Sequence, residues 1–176
     1  MKKITFLILT ILATTTSFAQ FDLFGVRSGV NISNLDYEDN VPSGNTHRNG
    51  FVVGFTAQYG ITEKFSIAPE IQFSAEGAKD ESLRLDYLNL PIFAKYTMWE
   101  RVSIGVGPQM GLKIHEFEDG YRDLVFSGVV GAEYVFCEDF YVDVRYAYGF
   151  TNVYDSDQPL EATNHNIQIG VGIKIF

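Results

Sequence analysis

The sequence predicts an all-β fold: an eight-stranded antiparallel up-and-down transmembrane β-barrel. Three observations carry that expectation. Apolar and polar residues alternate with a period of two in eight separate segments, each about the 9–11 residues that a tilted strand needs to cross a bilayer. The connections between segments alternate, long then short, along the whole chain. Aromatic side chains gather at segment ends, and most segment glycines fall on one face.

The first strand is expected at 24–34, with Gly25, Arg27 and Gly29 sharing a face. The second, 50–59, sets Phe51, Val53, Phe55, Ala57 and Tyr59 against Val52, Gly54, Thr56 and Gln58. The third, 65–75, sets Phe65, Ile67, Pro69, Ile71 and Phe73 against Ser66, Ala68, Glu70, Gln72 and Ser74. The fourth, 87–96, brings Lys95 to the polar face and ends on Tyr96. In the fifth, 102–113, Val102, Ile104, Val106, Pro108, Met110 and Leu112 oppose Ser103, Gly105, Gly107, Gln109, Gly111 and Lys113. The sixth, 124–136, carries Glu133 and Gly131 on the polar face and breaks the glycine rule at Gly128. The seventh, 140–149, opposes Phe140, Val142, Val144, Tyr146 and Tyr148 to Tyr141, Asp143, Arg145, Ala147 and Gly149. The eighth, 166–176, has the strongest alternation: Ile167, Ile169, Val171, Ile173 and Ile175 against Gln168, Gly170, Gly172 and Lys174. Phe176 falls out of phase with that apolar register.

The apolar face must meet lipid. The opposite assignment would put Glu70, Asp143 and Arg145 into hydrocarbon, at roughly a few kcal/mol each near the midplane. Glycines on the inward face suit a narrow lumen in which small residues make room for long ones. Tyr59, Phe65, Tyr96, Tyr134, Phe136 and Phe140, with Trp99 in a turn, are expected to ring one membrane interface; Phe51, Phe73, Phe126 and Tyr148 ring the other. Pro69 and Pro108 lie inside strands, and a bulge or local break is expected at each, because proline cannot donate to the ladder.

The connections at 60–64, 97–101 and 137–139 are short; those at 36–49, 76–86, 114–123 and 150–165 are long. Short turns on one side and long loops on the other are the outer-membrane pattern. It places the long loops outside the cell and both termini in the periplasm. Residues 1–19 read as a secretory signal: Lys2 and Lys3, then an apolar stretch at 4–13, then Ser17-Phe18-Ala19. The barrel domain is then 20–176. No Cys follows the expected cut, which argues against a lipid anchor, and the single Cys137 excludes an intrachain disulfide. A net charge of -9 points away from nucleic acid as a partner.

Charge collects on the inward face: Arg27, Glu70, Lys95, Lys113, Glu133, Asp143, Arg145 and Lys174, with Glu76 at the end of the third strand. Both signs in a space too small for bulk water should pair. The network is the candidate site, read as a structural plug or, alternatively, as a gate whose re-pairing opens a narrow path. Its expected partner is outer-membrane lipid. The histidines His47, His115 and His165 lie on the long-loop side near Glu116, Glu118 and Asp119, at spacings that match no metal motif. Ser43, His47 and Asp155 could be imagined together at the rim, but their spacing demands no catalytic arrangement. No enzyme activity, cofactor or metal is therefore expected. The long loops are acidic, through residues such as Asp36, Asp80, Glu81, Asp155, Asp157 and Glu161. They read as a solvated rim or as a patch for cations or a basic partner.

The stretches FGVRSGVNISNL (24–35), LDYLNLPIFAKY (85–96) and GVGPQMG (105–111) resemble the PorT-type outer-membrane β-barrel family of Bacteroidota, and the FAQ signal end is similar to those of that phylum. The resemblance implies an eight-stranded barrel of the small OmpA/OmpX type. The function expected is a structural or docking role at the cell surface. The alternative is an accessory subunit of a protein export or assembly complex, with a protein partner there.

Overall fold

The structure is a computed structural model, and it describes residues 23–37, 41–116, 120–155, 157 and 160–175. The expected signal at 1–19 and the out-of-phase Phe176 lie outside the described residues. The strands are β1 (Leu23–Tyr37), β2 (Arg48–Gly60), β3 (Phe65–Gly77), β4 (Arg84–Trp99), β5 (Val102–Glu116), β6 (Leu124–Val135), β7 (Phe140–Gly149) and β8 (Ala162–Ile175). Each pairs antiparallel with its chain neighbours, and β8 returns to β1 to close the barrel. The closing seam runs from Phe24↔Ile175 to Tyr37↔Ala162 without a register shift. Closure leaves no sheet edge, which is what a strand protein needs inside hydrocarbon.

Side chains point as the alternation requires. Phe55 is 64% exposed, and on the same belt Ile92, Val106, Val144 and Val171 are exposed too. On the inner face Arg27 and Gln72 are each 1% exposed. Aromatic pairs mark both rims of the belt: Phe136 and Phe140, 6.1 Å apart on the short-turn side, and Phe51 stacked on Phe73 at 5.1 Å on the other. Trp99, expected in a turn, is the last residue of β4 and stands exposed on the short-turn side. Gly128, the one glycine read on the lipid face, sits against the Phe150 ring. A large outward side chain there would collide with it.

The prolines interrupt their ladders without shifting them. Pairing of β2 with β3 passes from Thr56↔Glu70 to Tyr59↔Ile67 in unchanged register, and Pro69 sits in the gap. Pairing of β4 with β5 passes from Pro91↔Gln109 to Ala94↔Val106 around Pro108 in the same way. The local break is present, and the bulge is not. The shifts in that pair lie elsewhere, between Asp86 and Tyr87 and between Thr97 and Trp99.

The strands also run past the expected segments on the long-loop side, most clearly in β4 and β8. There the apolar phase inverts. Leu35, Leu85, Tyr87 and Ala162 point inward, while Asp36 and Glu161 are exposed. With Ala78, Leu83, Tyr121, Val153 and Tyr154 they form a buried apolar cluster across the mouth. Above the bilayer the outer wall meets water, so apolar residues gain only by turning in. The connections themselves supply part of this cap. Tyr121 and Tyr154 form an isolated bridge with rings stacked at 4.8 Å, Tyr121 donates its hydroxyl to the Ser82 carbonyl at 2.9 Å, and Tyr154 shares a 2.7 Å hydrogen bond with Tyr37.

Candidate functional site: the charged lumen

Four strands meet at the centre of the lumen because their inward residues alternate with period two and the tilted sheet wraps them around one axis. Arg27 (β1) forms two bonds to Asp143 (β7): Nε donates to Oδ2 at 3.2 Å and Nη2 to Oδ1 at 2.7 Å. Its Nη1 donates to the side-chain oxygens of Gln72 and Gln168, each at 2.9 Å. Arg145 (β7) grips Glu70 (β3) with two nitrogens, at 2.5 and 3.2 Å, and its Nε lies 3.0 Å from Asp143. Arg145 also lies 4.7 Å over the Phe93 ring, so its planar group is held on edge and face. The result is a neutral quartet of two guanidinium groups and two carboxylates. The planar fork of arginine suits bidentate carboxylate pairing, and a lysine in either position would satisfy fewer acceptors.

Nearer the short-turn end lies a second group. Glu133 (β6) accepts from Lys95 at 3.0 Å and Lys174 at 2.8 Å. Lys174 stands 5.6 Å from the Tyr141 ring, and Tyr141 in turn covers Gly172, where a Cβ would strike the ring. Two ammonium groups and one carboxylate leave one net positive charge. The lysines are 10% and 16% exposed at their side chains, against 1% and 4% for Arg27 and Arg145. The unbalanced charge therefore sits where water reaches it, at lower desolvation cost.

Seven of the eight expected residues fall into these two groups. Lys113 does not. It lies at the long-loop mouth, 2.8 Å from Glu116 and 3.3 Å from Asp123, and donates to the Tyr121 carbonyl. Its inward phase was legible, but its level along the barrel axis was not. Asp80, outside the spanning strands, caps the 3₁₀ turn Glu81–Leu83; hydrogen bonds from the Ser82 hydroxyl and amide hold its carboxyl below the usual value.

The other expectations disperse. His47 bridges Ala78, His115 lies opposite Asp86 in β5, and His165 lies opposite Tyr148 in β8. Among the described residues no cluster of three or more His, Cys, Asp or Glu could hold a metal. Ser43, His47 and Asp155 share no hydrogen bond among the described residues; Asp155 donates its amide to the Gly120 carbonyl at 2.9 Å. The residues that sequence reasoning left unassigned are the amides. Gln72, Gln109 and Gln168 carry the charge network upward, and Asn31 reaches Ser74 at 2.9 Å. Their inward phase was the available signal. What they touch depends on barrel curvature.

The sequence model of the family described as outer membrane protein beta-barrel domain matches residues 4–174. No curated protein shows significant similarity to the chain. Among solved structures, Neisserial surface protein A is similar with a TM-score of 0.60 at 12% identity, covering 86% of this chain and 97% of that one. The attachment invasion locus protein Ail of Yersinia pestis gives 0.59 at 13%, covering 89% and 100%. Ail in complex with the heparin analogue sucrose octasulfate gives 0.54 at 13%, covering 87% and 98%. At these identities the likeness is one of fold.

Proposed function

This chain belongs to the outer membrane protein beta-barrel domain family, and we propose that it is a sealed, non-enzymatic member that serves as a structural or docking element at the cell surface. It is a small outer-membrane barrel with buried charged residues in its lumen. The observation that carries the proposal is double closure. The lumen is filled by ion pairs at its centre and roofed by an apolar cap at the long-loop mouth. Such a barrel offers surfaces, on its wall and its loops, rather than a passage. The network of Arg27, Glu70, Lys95, Glu133, Asp143, Arg145 and Lys174 acts as a structural plug, with Lys113 fixing the rim instead.

The orientation belongs to the same proposal: residues 1–19 are removed as a signal, the long loops face outward, and both termini face the periplasm. The acidic rim selects the partner class. Asp36, Asp80, Glu81, Asp155, Asp157 and Glu161 would repel a polyanion such as the sulfated sugar held by Ail, and would attract a basic protein surface. That is the form in which an export or assembly partner, as in the PorT-type reading, would engage it.

A membrane-impermeant maleimide tests location and topology together. Cys137, exposed in the 136–139 connection, should label only after the outer membrane is opened. In a Cys137→Ser background, Ser43→Cys should label on intact cells. The reverse pattern would overturn the orientation, and recovery in the soluble fraction without detergent would overturn the membrane reading.

A further inference from the structure

Among the described residues, Glu76 is the one lumen carboxylate without a cation. It is 3% exposed and faces the lumen at the long-loop end of β3, just beneath the cap. Asn89 donates to its Oε1 at 2.7 Å, and the Asn164 amide nitrogen donates to its Oε2. Glu70, Glu133 and Asp143 each hold arginine or lysine, whereas Glu76 has no ion-pair partner among the described residues. Arg48 is the nearest guanidinium in contact. It donates to the main-chain carbonyl of Glu76, and its charge is committed to Asp86 at 3.1 Å. Amide donors satisfy lone pairs, but they bring no positive charge, and a carboxylate ionised in so poorly solvated a place needs one beside it.

Beside this carboxylate is a cavity of about 20 Å³, lined on its polar side by Glu76, Asn89, Gln109, Ser127, Asn164 and Asn166. That is room for a single water-sized occupant. Asn164 lines it, 9% exposed, and its Oδ1 has no hydrogen-bond partner. Its amide nitrogen is spent on Glu76, so the free end is an acceptor in need of a positive or donating neighbour. In the adjoining layer the hydroxyl of Tyr87, fully buried, is also unpartnered.

We propose that the Glu76 chamber is a binding site for one sodium ion, which neutralises the carboxylate beneath the cap. The donor set is carboxylate, amide carbonyl and hydroxyl oxygen, which hard cations prefer; zinc and copper would want His or Cys. Charge selects the monovalent class. One carboxylate plus one sodium is neutral, whereas calcium would leave a net positive charge under an apolar roof. Volume selects against potassium, whose larger shell needs more room and more ligands than one water-sized space supplies. Magnesium holds its own waters too firmly to enter so small a space.

The test uses the detergent-solubilised full barrel at constant pH and ionic strength. Sodium chloride is exchanged stepwise for N-methylglucamine chloride, and the thermal unfolding midpoint is followed. A ligand that binds only the folded state raises that midpoint saturably. The expected result is a saturable rise with sodium, a weaker one with potassium, and a flat response in Glu76→Gln. Asn164→Asp adds a second carboxylate and should create a calcium-dependent rise absent from the wild type. Equilibrium dialysis of the wild type against radioactive sodium should give one ion per chain, independently of how any variant folds. A wild-type midpoint indifferent to sodium, a full sodium response retained in Glu76→Gln, or no bound ion on dialysis would each overturn the site in favour of trapped water beside a protonated carboxyl.

Discussion

Asp143 is shared by two guanidinium groups, and removing its charge would strand both. Asp143→Asn is expected to destabilise the folded barrel by about 3–5 kcal/mol, the usual consequence of orphaning a buried ion pair. Glu81→Gln removes half of an exposed pair with Arg84, in which the Glu81 side chain is 71% exposed, and should cost under about 1 kcal/mol. Urea titration in lipid vesicles, read by the lone Trp99 at the membrane rim, would compare the two; equal shifts would contradict the network's importance. At this scale the sequence was half legible. Strict alternation told which charges turn inward. It could not tell which meet, because Arg27 and Asp143 are 116 positions apart and Arg145 and Glu70 are 75 apart. Such partners are set by strand tilt and stagger, which no local spacing encodes. Lys113 shows the same limit: its phase can be read from the alternation, its level along the axis cannot.

The strands were legible wherever lipid touches them and became obscure where it does not. Inside the bilayer the outer face must be apolar, so the period of two is clean in β7 and in most of β8. Beyond the bilayer Leu35, Leu85 and Ala162 turn inward while their outer neighbours become polar. The pattern changes phase there, and so reads as loop. The cap formed by these strand ends should be separable from the barrel below. Tyr154→Ala removes the stack on Tyr121 and the bond to Tyr37. It should open the 150–161 connection to proteases and raise its amide exchange, while protection of the spanning strands stays at the wild-type level. Loss of protection throughout β7 and β8 would show instead that cap and barrel are one cooperative unit.

Across the whole molecule, strand number, antiparallel order and the long–short rhythm of connections could all be read from the chain. The closed sheet follows from one constraint, that every main-chain polar group within hydrocarbon be paired, and the rhythm of connections is that of outer-membrane barrels. Whether the lumen conducts was not legible, because it depends on the fit of side chains that meet only after closure. The double seal predicts flat current traces in planar bilayers for the wild type and for Glu133→Gln and Arg145→Gln. In each variant the opposite seal, the apolar roof, is untouched. Discrete conductance steps in either variant would replace the plug with a gate.

The seam between β1 and β8 has a consequence for how the protein is made. Every bond along it joins the earliest strand to the latest, so the ring stays open until β8 has been synthesised and delivered. Until then both unsealed borders are adhesive and must be shielded by escort proteins or by the assembly machinery. Pairing across so large a span of chain is also slow to find, since loop-closure entropy is lost before any bond is gained. Biogenesis should therefore be governed by that final zippering. A chain truncated before β8 should accumulate as an aggregation-prone intermediate rather than as a smaller barrel.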